Sequence, residues 1–307
     1  MIGAFGDTLA THVAERESQI VLGLDPDPAR LWPGSERAAD RLPAQATAGE
    51  RAAAAVLAHC RRLIDAAAPA CVAVKPQLAC FERLGAPGWT VLGAVVEHAR
   101  ACGLLVIADG KRGDISVTAE AYGQALYGGA STPFGPLAGL GVDLATVNPL
   151  LGADAIEPFV AAARATGAGV LLLVRTSNPG AADIEDLPLA GGGALWERLA
   201  RLAHELGRPG VGAAGLSDVG AVVGATAPEH LARARELMPH AVFLLPGIGA
   251  QGGRVTDMAP AFAPGRAGGL LTASRSIAGA HLAGGGDPAA AARAEAERLR
   301  AAAWALG

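Results

Sequence analysis

The chain has 307 residues, 51% of them hydrophobic, 18% charged and 4% aromatic, which is enough apolar material for one large domain or two ordinary ones. A formal net charge of −4 and a sequence pI near 6.0 leave no electrostatic footprint for nucleic acid or an anionic membrane surface. The longest uncharged stretch, residues 121–142, is broken by Gly123, Gly128, Gly129, Pro133, Gly135 and Pro136, so it does not read as a spanning helix.

The N-terminus mixes Asp7, Glu15 and Glu17 with its apolar residues and lacks the basic-then-apolar order of a secretion signal, which predicts a cytoplasmic protein. Apolar runs bounded by Gly, Pro or Asp follow at residues 19–24, 71–74, 104–108, 142–147, 170–174, 211–214, 242–245 and 269–272. They are continuous rather than alternating, as strands buried on both faces of a parallel sheet must be. Between them, residues 50–68, 90–102, 153–166, 195–206, 229–237 and 288–305 carry charges at helix-like intervals among Ala and Leu. This alternation predicts an α/β fold, a (β/α)8 TIM barrel forming a single domain over residues 1–307, with the first eighteen residues as an extra N-terminal helix closing its lower end.

An open doubly wound sheet is the competing layout. Its Gly-x-Gly-x-x-Gly turn is replaced after the first run by Asp25-Pro26-Asp27-Pro28, which also disfavours a nicotinamide enzyme. Residues 26–49, 123–141 and 178–193 read as long loops on the strand C-terminal side, where barrel enzymes keep their chemistry. Cys60, Cys71, Cys80 and Cys102 have neither a two-residue spacing nor the density of a disulfide scaffold and read as reduced core thiols. The seven histidines sit singly, without the spacing of a structural zinc site.

Of the 25 basic residues only two, Lys75 and Lys111, are lysines. Arginine keeps its proton in a protein whereas lysine can give one up, so two surviving lysines at strand ends point to a task arginine cannot perform. Polar groups collect after the predicted strands: Asp25, Lys75, Asp109 with Lys111 and Asp114, Asn148, Thr176 with Ser177, Gln251, and Arg275 with Ser276. The segment Asp109-Gly110-Lys111-Arg112-Gly113-Asp114-Ile115 sets a carboxylate, an ammonium and another carboxylate two and three residues apart, an arrangement suited to a charge network rather than a solvated turn.

These residues resemble the orotidine 5′-phosphate decarboxylase family. The Asp-x-Lys-x-x-Asp-Ile-x-x-Thr signature is complete as Asp109, Lys111, Asp114, Ile115 and Thr118. Further likeness runs through Leu24-Asp25, Lys75, Thr176-Ser177-Asn178-Pro179-Gly180, Pro246-Gly247-Ile248-Gly249-Ala250-Gln251-Gly252 and Ser274-Arg275-Ser276-Ile277. The long loops are similar to those of the longer, bacterial subgroup.

The resemblance implies cofactor-independent conversion of orotidine 5′-phosphate to UMP in de novo pyrimidine biosynthesis, with no metal. Loss of CO2 leaves a carbanion at C6 that the ring does not obviously delocalise. Lys111 would stabilise it and then protonate it, with Asp109 and Asp114 holding the ammonium and Lys75 extending the network towards the ribose. The resemblance further implies a homodimer with shared sites, Asp114 and Thr118 reaching into the partner. Arg275 would fork to the phosphate, Gln251 would bridge phosphate and pyrimidine, Ser177 would read the pyrimidine edge, and Asp25 would accept from ribose hydroxyls.

Three other readings compete. A metal-assisted sugar-phosphate lyase or synthase shares the Asp-x-Lys-x-x-Asp core but needs further carboxylates, and Lys75 stands where one would be required. A Schiff-base aldolase needs a neutral lysine, which two flanking carboxylates oppose. A non-catalytic phosphate-binding barrel would tolerate loss of Lys111.

Overall fold

Phe5, Leu9 and Val13 fall on one face of helix α1 (Phe5–Arg16), at the spacing that stacks side chains along a helix. All three are buried among Val21, Val72, Leu105, Leu144, Leu171, Val242 and Leu270, which lie at or near the starts of barrel strands. The helix therefore plugs the lower end of the barrel, as the sequence predicts. Arg16 pins it there by donating to the carbonyls of Ala68, Cys71 and Cys102 at 2.9, 3.0 and 2.8 Å.

The computed structural model describes residues 3–225, 229–248 and 253–306. The first three strands are β1 (Ile20–Leu24), β2 (Ala73–Pro76) and β3 (Leu105–Arg112), and a short hairpin is formed by β4 (Ala130–Thr132) and β5 (Gly135–Leu137). Then come β6 (Leu144–Val147), β7 (Gly169–Arg175), β8 (Val219–Val223), β9 (Phe243–Pro246) and β10 (Gly269–Ala273). Outside the hairpin the strands pair in parallel and close a barrel in the order β1-β10-β9-β8-β7-β6-β3-β2. Around them run α2 (Ala48–Ala67), α3 (Leu78–Glu82), α4 (Ala86–Ala101), α5 (Ser116–Tyr127), α6 (Ala153–Thr166) and α7 (Ala181–Glu185). The outer ring continues with α8 (Leu195–Gly207), α9 (Glu229–Leu237), α10 (Arg275–Ala278), α11 (His281–Gly284) and α12 (Pro288–Trp304). None of the described helices is long and apolar enough to cross a membrane.

Four sequence expectations are corrected. The run at 211–214 is not a strand: with one branched side chain in four residues it forms a turn, Gly212 N–H bonding Leu216 C=O at 2.9 Å, and its Ala214 N–H donates to Asp7 of the plug at 2.7 Å. The strand is β8, entered through buried Ser217, whose hydroxyl donates to Gly207 C=O at 2.9 Å and accepts from Val219 N–H at 3.0 Å. Residues 123–127 belong to helix α5 rather than a loop. Gly123 does not break it; a Cβ there would lie 2.9 Å from Ala162 Cβ of α6, so the glycine lets the two helices close up. The remainder of that predicted loop, including the hairpin, lies below the barrel and not on the catalytic side. It leaves the C-terminus of α5, with Leu140 N–H on Ala125 C=O at 2.9 Å, and enters the start of β6. Finally, Cys60 and Cys71 are buried thiols, whereas Cys80 and Cys102 are only partly covered. Burial pushes the Cys71 thiol up to about 12, which keeps it protonated and inert.

Candidate active site

Side chains in a strand alternate between faces, so counting two residues up from the layer that meets the plug gives the next inward layer. Ala73, Ile107, Leu144, Leu171 and Leu270 belong to the plug layer. Two residues on stand Lys75, Asp109, Thr146, Leu173 and Thr272, and all five line a cavity of about 600 Å³ at the strand C-termini. The layer is divided: Leu173, Val222 and Leu244 make an apolar wall, and the polar groups face it.

Asp109 organises the polar side. Its Oδ2 accepts from Lys75 Nζ at 2.6 Å and Gln77 Nε2 at 3.2 Å, and its Oδ1 accepts from Lys111 Nζ at 2.6 Å and the Thr146 hydroxyl at 3.0 Å. Burial pushes the Asp109 carboxyl up, but the charges of Lys75 and Lys111 and their hydrogen bonds outweigh it and hold the group at about 2. Asp109 is therefore an anion at neutral pH and does not supply a proton. Lys75 is 5% exposed, while the Lys111 side chain is 44% exposed.

Lys111 reaches this position through a break in β3. The register with β6 shifts between Ala108 and Arg112, and Lys111 has φ +48°, a left-handed conformation uncommon outside glycine. Its N–H is held by the Thr146 hydroxyl at 2.9 Å, so one threonine fixes both the lysine backbone and the carboxylate that meets its ammonium. The next residue, Arg112, points away and pairs with Glu82.

The rim comes from the excursions after the strands. Thr176, Ser177, Asn178 and Glu185, after β7, line one side, and Ser274 and Arg275, after β10, line another, with Asp25 at the end of β1. Ser177 sits against Gly224, where a Cβ would come within 2.8 Å of Ser177 Cα. The loop after β1 is pinned beside the Arg275 turn by Trp32, whose indole N–H donates to Ala278 C=O at 2.7 Å and whose main-chain N–H donates to His59 Nδ1 at 3.1 Å. Burial, helped by the nearby Arg62 charge, holds His59 down at about 4, so it is the neutral acceptor this bond requires.

Of the sequence-predicted site residues, Lys75, Asp109, Lys111, Asp25, Ser177 and Arg275 line this cavity. Asp114 and Thr118 of the same chain do not; the Asp114 carboxylate accepts from the Ile115 N–H at 2.8 Å instead. Asn148 caps the turn after β6 by accepting from Leu150 N–H at 3.0 Å. Gln251 lies outside the described residues. Sequence reasoning did not single out Gln77, Thr146, Glu185 or Thr272. The Thr272 hydroxyl is buried without a hydrogen-bond partner among the described residues. The signal for Thr146 and Thr272 was available, because each is a polar residue at an inward position of an otherwise apolar strand.

Both oxygens of Asp109 are occupied by ammonium groups, which leaves that carboxylate unsuited to a cation. Among the described residues, one trio of possible metal ligands is Asp65, His98 and Cys102. It lies near the C-terminal ends of α2 and α4, on the opposite face of the barrel, and Asp65 Oδ1 is already paired with His98 Nε2 at 2.7 Å.

The model of the orotidine 5′-phosphate decarboxylase / HUMPS family matches residues 18–294. The chain belongs to this family. It is 45% identical over 229 residues to the orotidine 5′-phosphate decarboxylase of Rhodopirellula baltica, covering 75% of this chain and 74% of the relative. With the Deinococcus radiodurans enzyme it shares 40% identity over 279 residues, 90% of each chain. Among solved structures, a putative orotidine 5′-phosphate decarboxylase from Streptomyces avermitilis superposes with TM-score 0.77 at 30% identity, covering 100% of this chain and 96% of that one. A Toxoplasma gondii counterpart gives TM-score 0.74 at 30% identity, covering 98% and 97%. The family signature thus maps onto β3 and the start of α5, with Asp109 and Lys111 on the cavity side and Asp114, Ile115 and Thr118 on the surface beside it.

Proposed function

We infer that this chain is a carboxy-lyase that decarboxylates orotidine 5′-phosphate to UMP in de novo pyrimidine biosynthesis, without a cofactor, using residues 1–307 as one barrel domain. The observation that carries the reading is Asp109 shared between two lysines at one side of the cavity, in a chain of this family. As the C6–CO2 bond breaks, its electron pair stays on C6, where the Lys111 ammonium offsets the charge and then transfers a proton to the carbon. Asp109 orients that ammonium, and Lys75 balances Asp109 and faces the ribose. The wall of Leu173, Val222 and Leu244 limits water near the reacting carbon, which strengthens each charge interaction. Arg275 grips the phosphate, Ser177 the pyrimidine edge, Asp25 the ribose hydroxyls, and Gln251 bridges phosphate and pyrimidine.

We also infer a homodimer in which Asp114 and Thr118 complete the partner's site. Two observations support it: Asp114 does not line the cavity of its own chain, and Ile115 and Val117 beside it are 55% and 78% exposed, an apolar surface suited to a second copy.

The test is an ultraviolet assay of orotidine 5′-phosphate consumption after exhaustive chelation. Lys111→Ala is expected to abolish turnover with an unchanged circular dichroism spectrum; near-normal turnover ends the assignment. Mixing Lys111→Ala with Asp114→Ala subunits is expected to restore part of the activity, and no recovery places each site within one chain.

A further inference from the structure

Arg175 ends β7 and is 7% exposed, yet it does not line the cavity. Its guanidinium forks onto Asp186, Nε to Oδ1 at 2.8 Å and Nη2 to Oδ2 at 2.9 Å. Its Nη1 donates to Thr176 C=O at 2.9 Å and lies 3.5 Å from Glu185 Oε2. Glu185 returns to the same residue: Oε2 accepts the Thr176 N–H at 2.8 Å, and Oε1 lies 2.9 Å from the Thr176 hydroxyl. The main-chain N–H and C=O of Thr176 are thus both held by charged side chains, one from the strand and one from the end of α7, midway along the excursion.

Ser177 follows directly and lies close against Gly224, where a Cβ would come within 2.8 Å of Ser177 Cα. β7 lies three strands from β10 around the barrel, so the Thr176–Ser177 rim and the Arg275 turn stand well apart across the cavity. A buried guanidinium with a bidentate carboxylate is stiff and directional, as a lysine pair is not. The charge also matters: Glu185 lines a cavity meant for an anionic ligand, and Arg175 offsets it.

We propose that Arg175 and Glu185 are positioning residues that lock the Thr176–Ser177 backbone at the rim and so set how tightly the site grips the base of the nucleotide, independently of its phosphate. The proposal rests on the reading above in which Ser177 meets the base. The test measures inhibition by two probes, UMP and ribose 5-phosphate, which share ribose and phosphate and differ in the base, together with KM and kcat for orotidine 5′-phosphate. Glu185→Gln, nearly isosteric, and Arg175→Met are expected to raise KM and the UMP inhibition constant by about tenfold or more, the scale of a lost charge-assisted hydrogen bond. The ribose 5-phosphate constant is expected to move by less than about twofold, and Arg175→Lys, which keeps the charge but not the fork, to fall between. Inhibition constants that rise together for both probes, as general loosening would give, overturn the proposal, and so does no change in either. If the wild-type protein does not turn over orotidine 5′-phosphate, the enzymatic reading fails. Calorimetric binding of the same two probes then decides the positioning role by the same ratio.

Discussion

Replacing Asp109 with Asn keeps the outline of the side chain and removes its charge, which tests the counter-ion at the centre of the site. The Lys75 ammonium sits 2.6 Å from Asp109 with 7% of its side chain exposed, so the variant strands a buried cation against a neutral amide. Deleting one member of a buried pair costs about 3–5 kcal/mol. The protonation equilibrium gives a second figure. The carboxyl is held at about 2 against an ordinary 3.8, which at about 1.4 kcal/mol per unit is worth about 2 kcal/mol net of burial. Because the folded value is the lower one, this stabilisation is complete above the ordinary carboxylate range and is lost as pH falls through about 2. Roughly half is already gone at about pH 3.

The assay is urea unfolding of wild type and Asp109→Asn, followed by tryptophan fluorescence at neutral pH and at about pH 3. The variant is expected to be less stable by about 2–5 kcal/mol at neutral pH, with the gap narrowing by about 1 kcal/mol at the lower pH as the wild type loses its own charge. Equal stability at neutral pH refutes the reasoning. So does a gap that stays constant over that range, because a loss of packing alone would not titrate.

Two further outcomes follow from the rim. Arg275→Ala removes a guanidinium that lines the cavity next to Ser274 and is expected to weaken ribose 5-phosphate inhibition by about tenfold to a hundredfold, the worth of one charged hydrogen bond; unchanged inhibition takes Arg275 out of the phosphate grip. Gly224→Ala places a Cβ 2.8 Å from Ser177 Cα, so the rim must shift; KM for orotidine 5′-phosphate is expected to rise more than kcat falls, and unaltered steady-state kinetics would show that the Ser177 backbone does not matter to binding.

The barrel was legible because a parallel sheet covered on both faces demands continuous apolar runs, and seven of the eight predicted runs coincide with barrel strands. The eighth failed where Gly and Ala dilute the signal: residues 211–214 are apolar by composition but hold a turn, while β8 lies just beyond, behind Ser217 and Asp218. Helix α5 was lost for the opposite reason, since Gly123 looks like punctuation in the sequence and turns out to be a packing surface against α6.

The site divides along the same line. Parity along the strands is a local property, so once the packing of α1 marks the plug layer, counting two residues on reaches Lys75, Asp109, Thr146 and Thr272. Asp183, Glu185 and Asp186, by contrast, fall in the stretch 178–193, which reads from sequence only as a long loop. Only the closing of the excursion brings Glu185 and Asp186 back onto Arg175, ten and eleven residues away. Asp114 lies beyond the left-handed turn at Lys111, past the point where parity can say which way a side chain faces. The inward layer is therefore written residue by residue in the strands, whereas the rim is written in ion pairs and turns whose partners no local pattern identifies.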